Sequence, residues 1–273
     1  MGSKDKTKPF LRWAGGKQLL LKHILPFIYK DYDQNTYWEP FLGSGAFFFA
    51  LRPKRAVLSD LNKHLINCFK AIKDDPYEVH EHLSKFTKTI TPSNYYKIRN
   101  DFNKNGLSII NAARFIYLNR TCFNGLYRVN KNEKFNVPYG YKKNPIIPTK
   151  EDLLNACNLL QNSLIISGSY EDVLVNAEKG DFIYLDPPYP PLDKTSYFNN
   201  YTKQKFTHKD QILLSRVSKE LDKKGCLLMI SNADLKEIRD LYHGWDIQSL
   251  SVVRWITCKR TKHKVNEIII RNY

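Results

Sequence analysis

The stretch TYWEPFLGSGAFFFALRPKRAVLSD, residues 36–60, decides the fold of this chain. It predicts a strand over Thr36–Glu39, a turn at the glycines of PFLGSG, an apolar helix, and a second strand over Ala56–Leu58 that ends at Asp60. Glycine lets the backbone turn tightly and approach a ligand closely. A strand, glycine loop, helix and strand, with an acid at the second strand end, are typical of a doubly wound sheet that binds a nucleoside at the carboxyl ends of its strands.

The glycine loop by itself leaves the ligand open. Gly43-Ser44-Gly45 also fits a plain tight turn. A dinucleotide is the obvious alternative, but Phe48 replaces the third glycine of the dinucleotide fingerprint, and its ring would crowd the pyrophosphate. A nucleoside without phosphates fits better, because Asp60 suits both hydroxyls of a ribose.

A second strand end carries residues that point to chemistry. The apolar run Phe182–Leu185 stops at Asp186-Pro187-Pro188-Tyr189. Proline has a carbonyl and no N–H donor, so Asp186 and the Pro187 carbonyl suit both hydrogens of an exocyclic amino group while Tyr189 stacks on its ring. A planar base that bears an amino group would fit this arrangement. The other interpretation is a plain strand-to-loop turn in which the prolines end the ladder.

The remaining pattern alternates strands and helices. We predict helices over Leu19–Tyr29, Ser108–Asn119, Lys150–Gln161 and Lys209–Leu221, and strands over Leu164–Ile166, Phe182–Leu185, Cys226–Ile230, Ile247–Val253 and Val265–Ile270. The last two strands leave no room for a helix between them, so they should pair antiparallel. The prediction is an α/β fold with a mostly parallel sheet and an antiparallel hairpin at its edge.

Charge points to a polyanionic partner. The 273 residues contain 43 Lys and Arg against 27 Asp and Glu, a formal net charge of +16, which favours nucleic acid. An anionic membrane is the competitor, but no apolar stretch approaches the roughly 20 residues of a spanning helix, and the start of the chain is too polar for a signal peptide. We therefore expect a soluble intracellular protein. Five scattered cysteines without a Cys-x-x-Cys pair predict neither a disulfide framework nor a zinc knuckle.

Most of the excess charge lies in residues 63–150, which hold 16 Lys and Arg against 6 Asp and Glu. Within them, residues 121–143 interleave Asn, Gly, aromatic and basic side chains and predict a hairpin or an ordered loop. A basic lobe with interleaved aromatics is typical of a nucleic-acid reader, although a solvated basic face has the same composition. We predict a sheet domain of residues 1–62 and 151–273 and an inserted recognition lobe of residues 63–150.

Several motifs occur in a fixed order along the chain. They are FLRWAGGK (residues 10–17), EPFLGSG (39–45), DLN (60–62), NR (119–120), NGLYR (124–128), FNVPYG (135–140) and DPPY (186–189). In this order, and over nearly the whole chain, the sequence resembles the Dam-type DNA adenine-N6 methyltransferases, the alpha group of the D12 class. The resemblance implies a Rossmann-like methyltransferase sheet with a helical and hairpin DNA-recognition lobe inserted in it.

The resemblance implies S-adenosylmethionine as the methyl donor. It places four residues at the donor, namely Trp13 and Lys17 in the pocket, Asp60 on the ribose and Asp186 near the methionine end. The residue types agree, because a lysine pairs with a carboxylate and an aromatic ring faces a cation or a planar group. Phe41 and Tyr170 are candidate walls of the adenosine slot, although aromatic residues at such positions also serve as core.

The implied reaction is a direct in-line methyl transfer. The amino nitrogen of adenine is a poor nucleophile because its lone pair is delocalised into the ring, and hydrogen bonds to Asp186 and the Pro187 carbonyl would localise that pair. The base is inaccessible inside a duplex, so it must flip out, at a cost on the order of a few kcal/mol, and stack on Tyr189.

The resemblance also implies double-stranded DNA as partner and GATC as the site. It assigns site reading to Arg12, Phe123, Asn124, Leu126, Arg128 and Pro138. Arg128 suits a guanine edge, Phe123 suits a wedge in the base stack, and Asn124 can address the base left behind. A hairpin core residue at Phe123 and an ordinary turn at Asn124-Gly125 are the alternatives. The family usually has lysine at the position of Arg12, so the flanking specificity of this chain stays open.

Other interpretations also stay open. An N4-cytosine or RNA methyltransferase would keep the donor pocket and change the base accepted, whereas a non-catalytic DNA-binding module would keep only the fold. Asp60 and the Asp-Pro-Pro-Tyr motif argue against the module, because binding alone needs no amino-group acceptor. The basic run Arg254–Lys264 suits phosphates or a solvated loop. We expect no obligate protein partner and a cytoplasmic location, in a restriction-modification, phage or solitary role.

Overall fold

The computed structural model describes residues 7–189, 206–256 and 261–273, and it describes no side chain between residues 252 and 265. The predicted phosphate contacts of Arg254–Lys264 lie outside the described side chains. None of the helices in the described ranges combines the length and the apolar character that crossing a bilayer requires.

A seven-stranded sheet forms the centre of the fold. Its strands are β1 (Tyr37–Glu39), β2 (Ala56–Asp60), β3 (Ser163–Ser167), β4 (Phe182–Leu185), β5 (Leu227–Ala233), β6 (Asp246–Ile256) and β7 (Thr261–Arg271). They lie side by side in the order β3-β2-β1-β4-β5-β7-β6. The first five strands run parallel, and β7 pairs antiparallel with both β5 and β6. The predicted α/β fold with an antiparallel edge hairpin is confirmed.

Helices cover both faces of the sheet. The α-helices of the described ranges are α1 (Leu21–Ile24), α2 (Ala46–Leu51), α3 (Lys63–Asp74), α4 (Pro76–Thr87), α5 (Pro92–Lys104), α6 (Ile109–Thr121), α7 (Lys150–Leu160), α8 (Tyr170–Leu174), α9 (His208–Lys223) and α10 (Lys236–Leu241). Polar caps start several of them, because a side-chain oxygen satisfies backbone N–H groups that lack helical partners. Asn62 caps α3 in this way and Ser108 caps α6.

The predicted helix over Leu19–Tyr29 is wrong. The chain instead forms a 3₁₀ turn over Lys17–Leu19, the single turn of α1, and a second 3₁₀ turn over Leu25–Phe27. Pro26 explains the break, because proline lacks the N–H that would bond the preceding turn and its ring clashes with that turn.

Two apolar clusters hold the layers together. Successive strand side chains point to opposite faces, so in β4 Ile183 joins one cluster and Tyr184 joins the other. The cluster of Tyr184 includes residues of α2 to α7, while the cluster of Ile183 includes residues of α8 to α10. The first cluster runs without interruption from the sheet into α3 to α7. The predicted recognition lobe therefore shares the core of the sheet, and its boundaries at residues 62 and 151 stay a prediction.

Residues 121–143, named here the 121–143 loop, form an ordered loop with little regular structure. A 3₁₀ turn covers Phe123–Gly125, and two isolated antiparallel bridges join Cys122 to Tyr139 and Val129 to Phe135. Helix α5 fixes the loop, because the hydroxyl of Tyr95 donates to the Val137 carbonyl at 2.8 Å. Asn103 adds hydrogen bonds to both backbone groups of Phe135.

Candidate active site

A cavity of about 890 Å³ opens at the carboxyl ends of β1, β2 and β4. All eight residues predicted to act on the donor or the base line it: Trp13, Lys17, Phe41, Asp60, Tyr170, Asp186, Pro187 and Tyr189. Three of the residues predicted to read DNA also line it, namely Phe123, Asn124 and Leu126. Arg12, Arg128 and Pro138 do not.

The glycine loop and the tip of β2 form one side of the cavity. Asp60 accepts hydrogen bonds from the backbone N–H groups of Gly43, at 3.1 Å, and Asn62, at 2.9 Å. Gly43 has a φ of 49°, and a Cβ there would lie 2.8 Å from Cδ1 of Trp13, so only glycine fits. Burial raises the pKa of Asp60 to about 6, although the backbone N–H groups oppose that shift.

Glu39, at the end of β1, is a buried acid of the cavity wall that the sequence analysis did not single out. Its Oε2 accepts from the Tyr37 hydroxyl at 2.7 Å and from the backbone N–H of Phe48 at 3.0 Å. Burial raises the pKa of Glu39 to about 8. The Phe48 ring is buried in the core and does not line the cavity, so the sequence argument that it crowds a pyrophosphate is wrong.

Asp186, at the end of β4, is held by two donors. Nζ of Lys17 lies 2.6 Å from its Oδ1, and the Ser231 hydroxyl donates to the same oxygen at 2.9 Å. Burial raises the pKa of Asp186, and Lys17 and Ser231 act against that shift. The sequence paired Lys17 with the carboxylate of a methyl donor, whereas the structure pairs it with Asp186.

Pro188 and Tyr189 are held by residues from distant parts of the chain. The Tyr189 hydroxyl donates to Oε2 of Glu267 at 2.7 Å, and Nζ of Lys17 lies 4.6 Å from the centre of the Tyr189 ring. The side-chain amide of Gln211 donates to the Pro188 carbonyl at 3.1 Å. Sequence reasoning missed Ser231, Gln211 and Glu267. The sequence signal for Glu267 is its position directly before three isoleucines, because an acid within an apolar strand indicates a buried polar contact.

Aromatic rings form the opposite wall. The centroids of Phe41 and Tyr170 lie 5.3 Å apart, and Phe206 lies 6.0 Å from Phe41. All three rings line the cavity, and all three also pack against the apolar cluster of α8 to α10. The two alternatives for Phe41 and Tyr170, cavity wall and core, thus both describe their positions.

At the mouth of the cavity, the 121–143 loop presents Phe123 and Asn124. The Phe123 side chain is 48 % exposed, so it is not the core residue that the alternative interpretation required. Asn124 has a φ of 54°, a left-handed conformation that asparagine tolerates better than most residues. The backbone N–H of Phe123 donates to the carbonyl of exposed Pro138 at 2.9 Å, which ties the two sides of the loop together.

Arg128 and Arg12 lie on the exposed surface beside this mouth. Nε of Arg128 donates to the side chain of Asn136 at 2.8 Å. Arg12 is held through its backbone, which exchanges two hydrogen bonds of 2.8 Å with the amide of Asn119. A Cβ at Gly125 would lie 3.0 Å from Cδ of Arg12, so Arg12 and the 121–143 loop form one surface.

Comparison with known proteins identifies the family. A model of the D12 class N6 adenine-specific DNA methyltransferases matches residues 13–257. The chain is 42 % identical to the type II methyltransferase M.MjaIII of Methanocaldococcus jannaschii, covering 98 % of this chain and 100 % of that protein. It is 39 % identical to the type II methyltransferase M1.LlaDCHI of Lactococcus lactis, covering 99 % and 97 %. It is 33 % identical to the DNA adenine methylase of Escherichia coli K12, covering 97 % and 95 %.

The chain belongs to the D12 class of N6 adenine-specific DNA methyltransferases. It is an adenine-specific enzyme whose substrate is DNA. The predicted family is therefore confirmed, while the roles of the individual site residues stay predictions.

Proposed function

We propose that this enzyme transfers a methyl group from S-adenosylmethionine to N6 of an adenine flipped out of duplex DNA, with GATC as its site. The observation that carries the proposal is the position of Asp186. Its carboxylate lies at a strand end beside the cavity, next to the Pro187 carbonyl and the Tyr189 ring, and it is held in place by Lys17 and Ser231.

The residues of the cavity fit the donor. Asp60 suits the ribose diol, the rings of Phe41 and Tyr170 suit an adenine face, and the lack of a side chain at Gly43 leaves room for the Trp13 ring. When bound, S-adenosylmethionine supplies an electrophilic methyl group on a sulfonium.

The protein makes the adenine amino group nucleophilic. Asp186 and the Pro187 carbonyl accept its two hydrogens, so the lone pair is less delocalised into the ring and points at the methyl carbon. The Tyr189 ring stacks on the flipped base and fixes its plane. The nitrogen lone pair would form the new N–C bond as the S–C bond breaks, its electron pair would stay on the sulfur as a neutral thioether, and the surplus amino proton would pass to its acceptor Asp186, so no covalent enzyme intermediate is needed.

The surface around the mouth of the cavity recognises the DNA site. Arg128 addresses a guanine edge, Phe123 fills the space in the stack, and Asn124 meets the orphaned base. Leu126, Pro138 and Arg12 complete the proposed reading surface. The type II names of two relatives favour a restriction-modification role for this chain. The expected place of action is the cytoplasm, where the DNA is.

The test is transfer of radiolabelled methyl from S-adenosylmethionine to a duplex with one GATC. Parallel duplexes carry each base pair of the site changed in turn, and one duplex is already N6-methylated on both adenines. We expect label only in the unmodified GATC duplex. Label in a changed duplex would support methyl transfer to DNA but contradict GATC as the site. Label found only in cytosine, or only in RNA, would contradict adenine in DNA as the methyl acceptor.

A further inference from the structure

Glu267 is a buried acid in an apolar strand. It lies in β7 opposite Ala233 of β5, and its side chain is fully buried. Three isoleucines follow it in the chain. A carboxylate in such surroundings is costly unless it is paired and hydrogen-bonded, so the partners of Glu267 indicate why an acid is kept there.

Glu267 contacts Tyr189, one end of the Asp-Pro-Pro-Tyr motif, directly, and reaches Asp186, the other end, through Lys17. Its Oε2 accepts from the Tyr189 hydroxyl at 2.7 Å and lies 4.0 Å from Nζ of Lys17. The same ammonium lies 2.6 Å from Oδ1 of Asp186 and 4.6 Å from the centre of the Tyr189 ring. The buried ammonium of Lys17 therefore contacts Asp186, Glu267 and the Tyr189 ring at once.

The two donors to Asp186 leave one of its carboxylate oxygens for a substrate. Lys17 and Ser231 both donate to Oδ1, which uses the two lone pairs of that oxygen. Oδ2 receives no hydrogen bond from any residue that the structure describes. It is the oxygen left to accept a hydrogen from the target amino group.

We propose that Glu267 is a positioning residue for methyl transfer, an inference that rests on the proposed function. By holding the Tyr189 hydroxyl, it fixes the ring on which the base stacks. By attracting Lys17, it keeps the ammonium between two acids, so that Asp186 presents Oδ2 in a single orientation. One buried acid thus aligns the stacking surface and the amino-group acceptor together, and alignment of reacting groups is a large part of the rate.

Three variants separate these contributions. Glu267→Gln keeps an oxygen for the Tyr189 hydroxyl and removes the charge that faces Lys17. Tyr189→Phe keeps the ring and removes the hydroxyl. Asp181→Asn is the matched control: Asp181 is also buried, but it lies at the opposite end of β4 and bonds Trp38 and Thr36.

The measurement is the single-turnover rate of methyl transfer to the GATC duplex at saturating donor, with dissociation constants for donor and DNA and the melting temperature of each variant. A duplex with 2-aminopurine at the target adenine reports base flipping by its fluorescence. We expect Glu267→Gln to lower the rate at least about tenfold, and Tyr189→Phe to lower it less, with both dissociation constants within about threefold and the fluorescence rise retained. Asp181→Asn should lower the melting temperature and leave the rate within about threefold.

A Glu267→Gln rate within threefold of the wild type overturns the role of Glu267. So does a rate loss that Asp181→Asn reproduces at the same drop in melting temperature, because the effect would then be one of folding. If the wild-type protein transfers no methyl group to any DNA, that result contradicts the proposed function itself and is distinguished from the role of Glu267 because it needs no variant.

Discussion

The cavity at the sheet edge and the 121–143 loop hold their key side chains in opposite ways. In the cavity, Lys17 is 4 % exposed and Glu267 is fully buried, and short polar contacts tie both to the Asp-Pro-Pro-Tyr motif. In the loop, Phe123 and Arg128 are exposed. The difference teaches that buried contacts within the fold orient the groups for chemistry, whereas the side chains proposed for recognition face solvent, with Arg128 hydrogen-bonded only within its own loop.

The comparison predicts its largest effect at Asp186. Asp186→Ala should lower turnover at least about 1000-fold, because it removes the acceptor that activates the amino group. DNA affinity should stay within about tenfold, since the exposed surface is untouched. Asp186→Asn, which keeps the shape, should lose nearly as much, because it removes the charge that Lys17 neutralises. Steady-state methylation measures turnover and filter binding measures DNA affinity. Equal losses in turnover and affinity would contradict the division between a cavity for chemistry and a loop for recognition.

Substitution of Arg128 should change specificity instead. Arg128→Ala should reduce the preference for GATC over a duplex with one changed base pair by about 10- to 100-fold, corresponding to about 1–3 kcal/mol for a bidentate guanine contact. Binding to unrelated DNA should change less. Lys131→Ala, at an exposed cation of the same loop, is the control and should leave the preference intact. A uniform loss on all DNA would instead make Arg128 a phosphate contact.

The buried acid Glu39 should make the free energy of unfolding depend on pH. Its pKa of about 8 means that the folded protein binds the proton more tightly than the unfolded chain. The stability that neutral Glu39 contributes is therefore full below the ordinary glutamate range and declines as pH rises towards 8. Glu39→Gln should flatten this decline, so the free energy of unfolding of the variant should gain about 3 kcal/mol relative to that of the wild type between pH 5.5 and pH 8. Urea unfolding at both pH values checks it, and parallel pH dependence in the two proteins would exclude it.

The smallest predicted effect is on donor binding as pH falls. Because the pKa of Asp60 is raised to about 6, its carboxylate becomes neutral near pH 5 and accepts hydrogen bonds from a ribose less well. The dissociation constant for S-adenosylmethionine should rise about tenfold between pH 7.5 and pH 5. Calorimetric titration measures it. Asp60→Asn should bind weakly with a flat profile, and a sloping profile in that variant would assign the effect to another acid.

Local pattern predicted most of the sheet. Phe182–Leu185 forms β4 with the predicted bounds, and the two late runs pair antiparallel as expected. These predictions succeeded because apolar periodicity and loop length act over a few residues. The predicted helix over Leu19–Tyr29 does not form because Pro26 interrupts it, although its apolar residues have helical spacing. The sequence does not decide between a hairpin and an ordered loop for residues 121–143. Contacts with α5 shape this loop, and its residues have little periodicity of their own.

The sequence alone determined the order of the strands along the chain, the glycine loop, the acids at the tips of β2 and β4, and the family. Only the tertiary structure decided how the acids are paired. Lys17 and Asp186 stand 169 positions apart, and Tyr189 and Glu267 stand 78 apart. They meet because β7 inserts between β5 and β6 and carries Glu267 to the edge where β4 ends. Contacts between such distant residues follow from strand order in space, which no local pattern encodes.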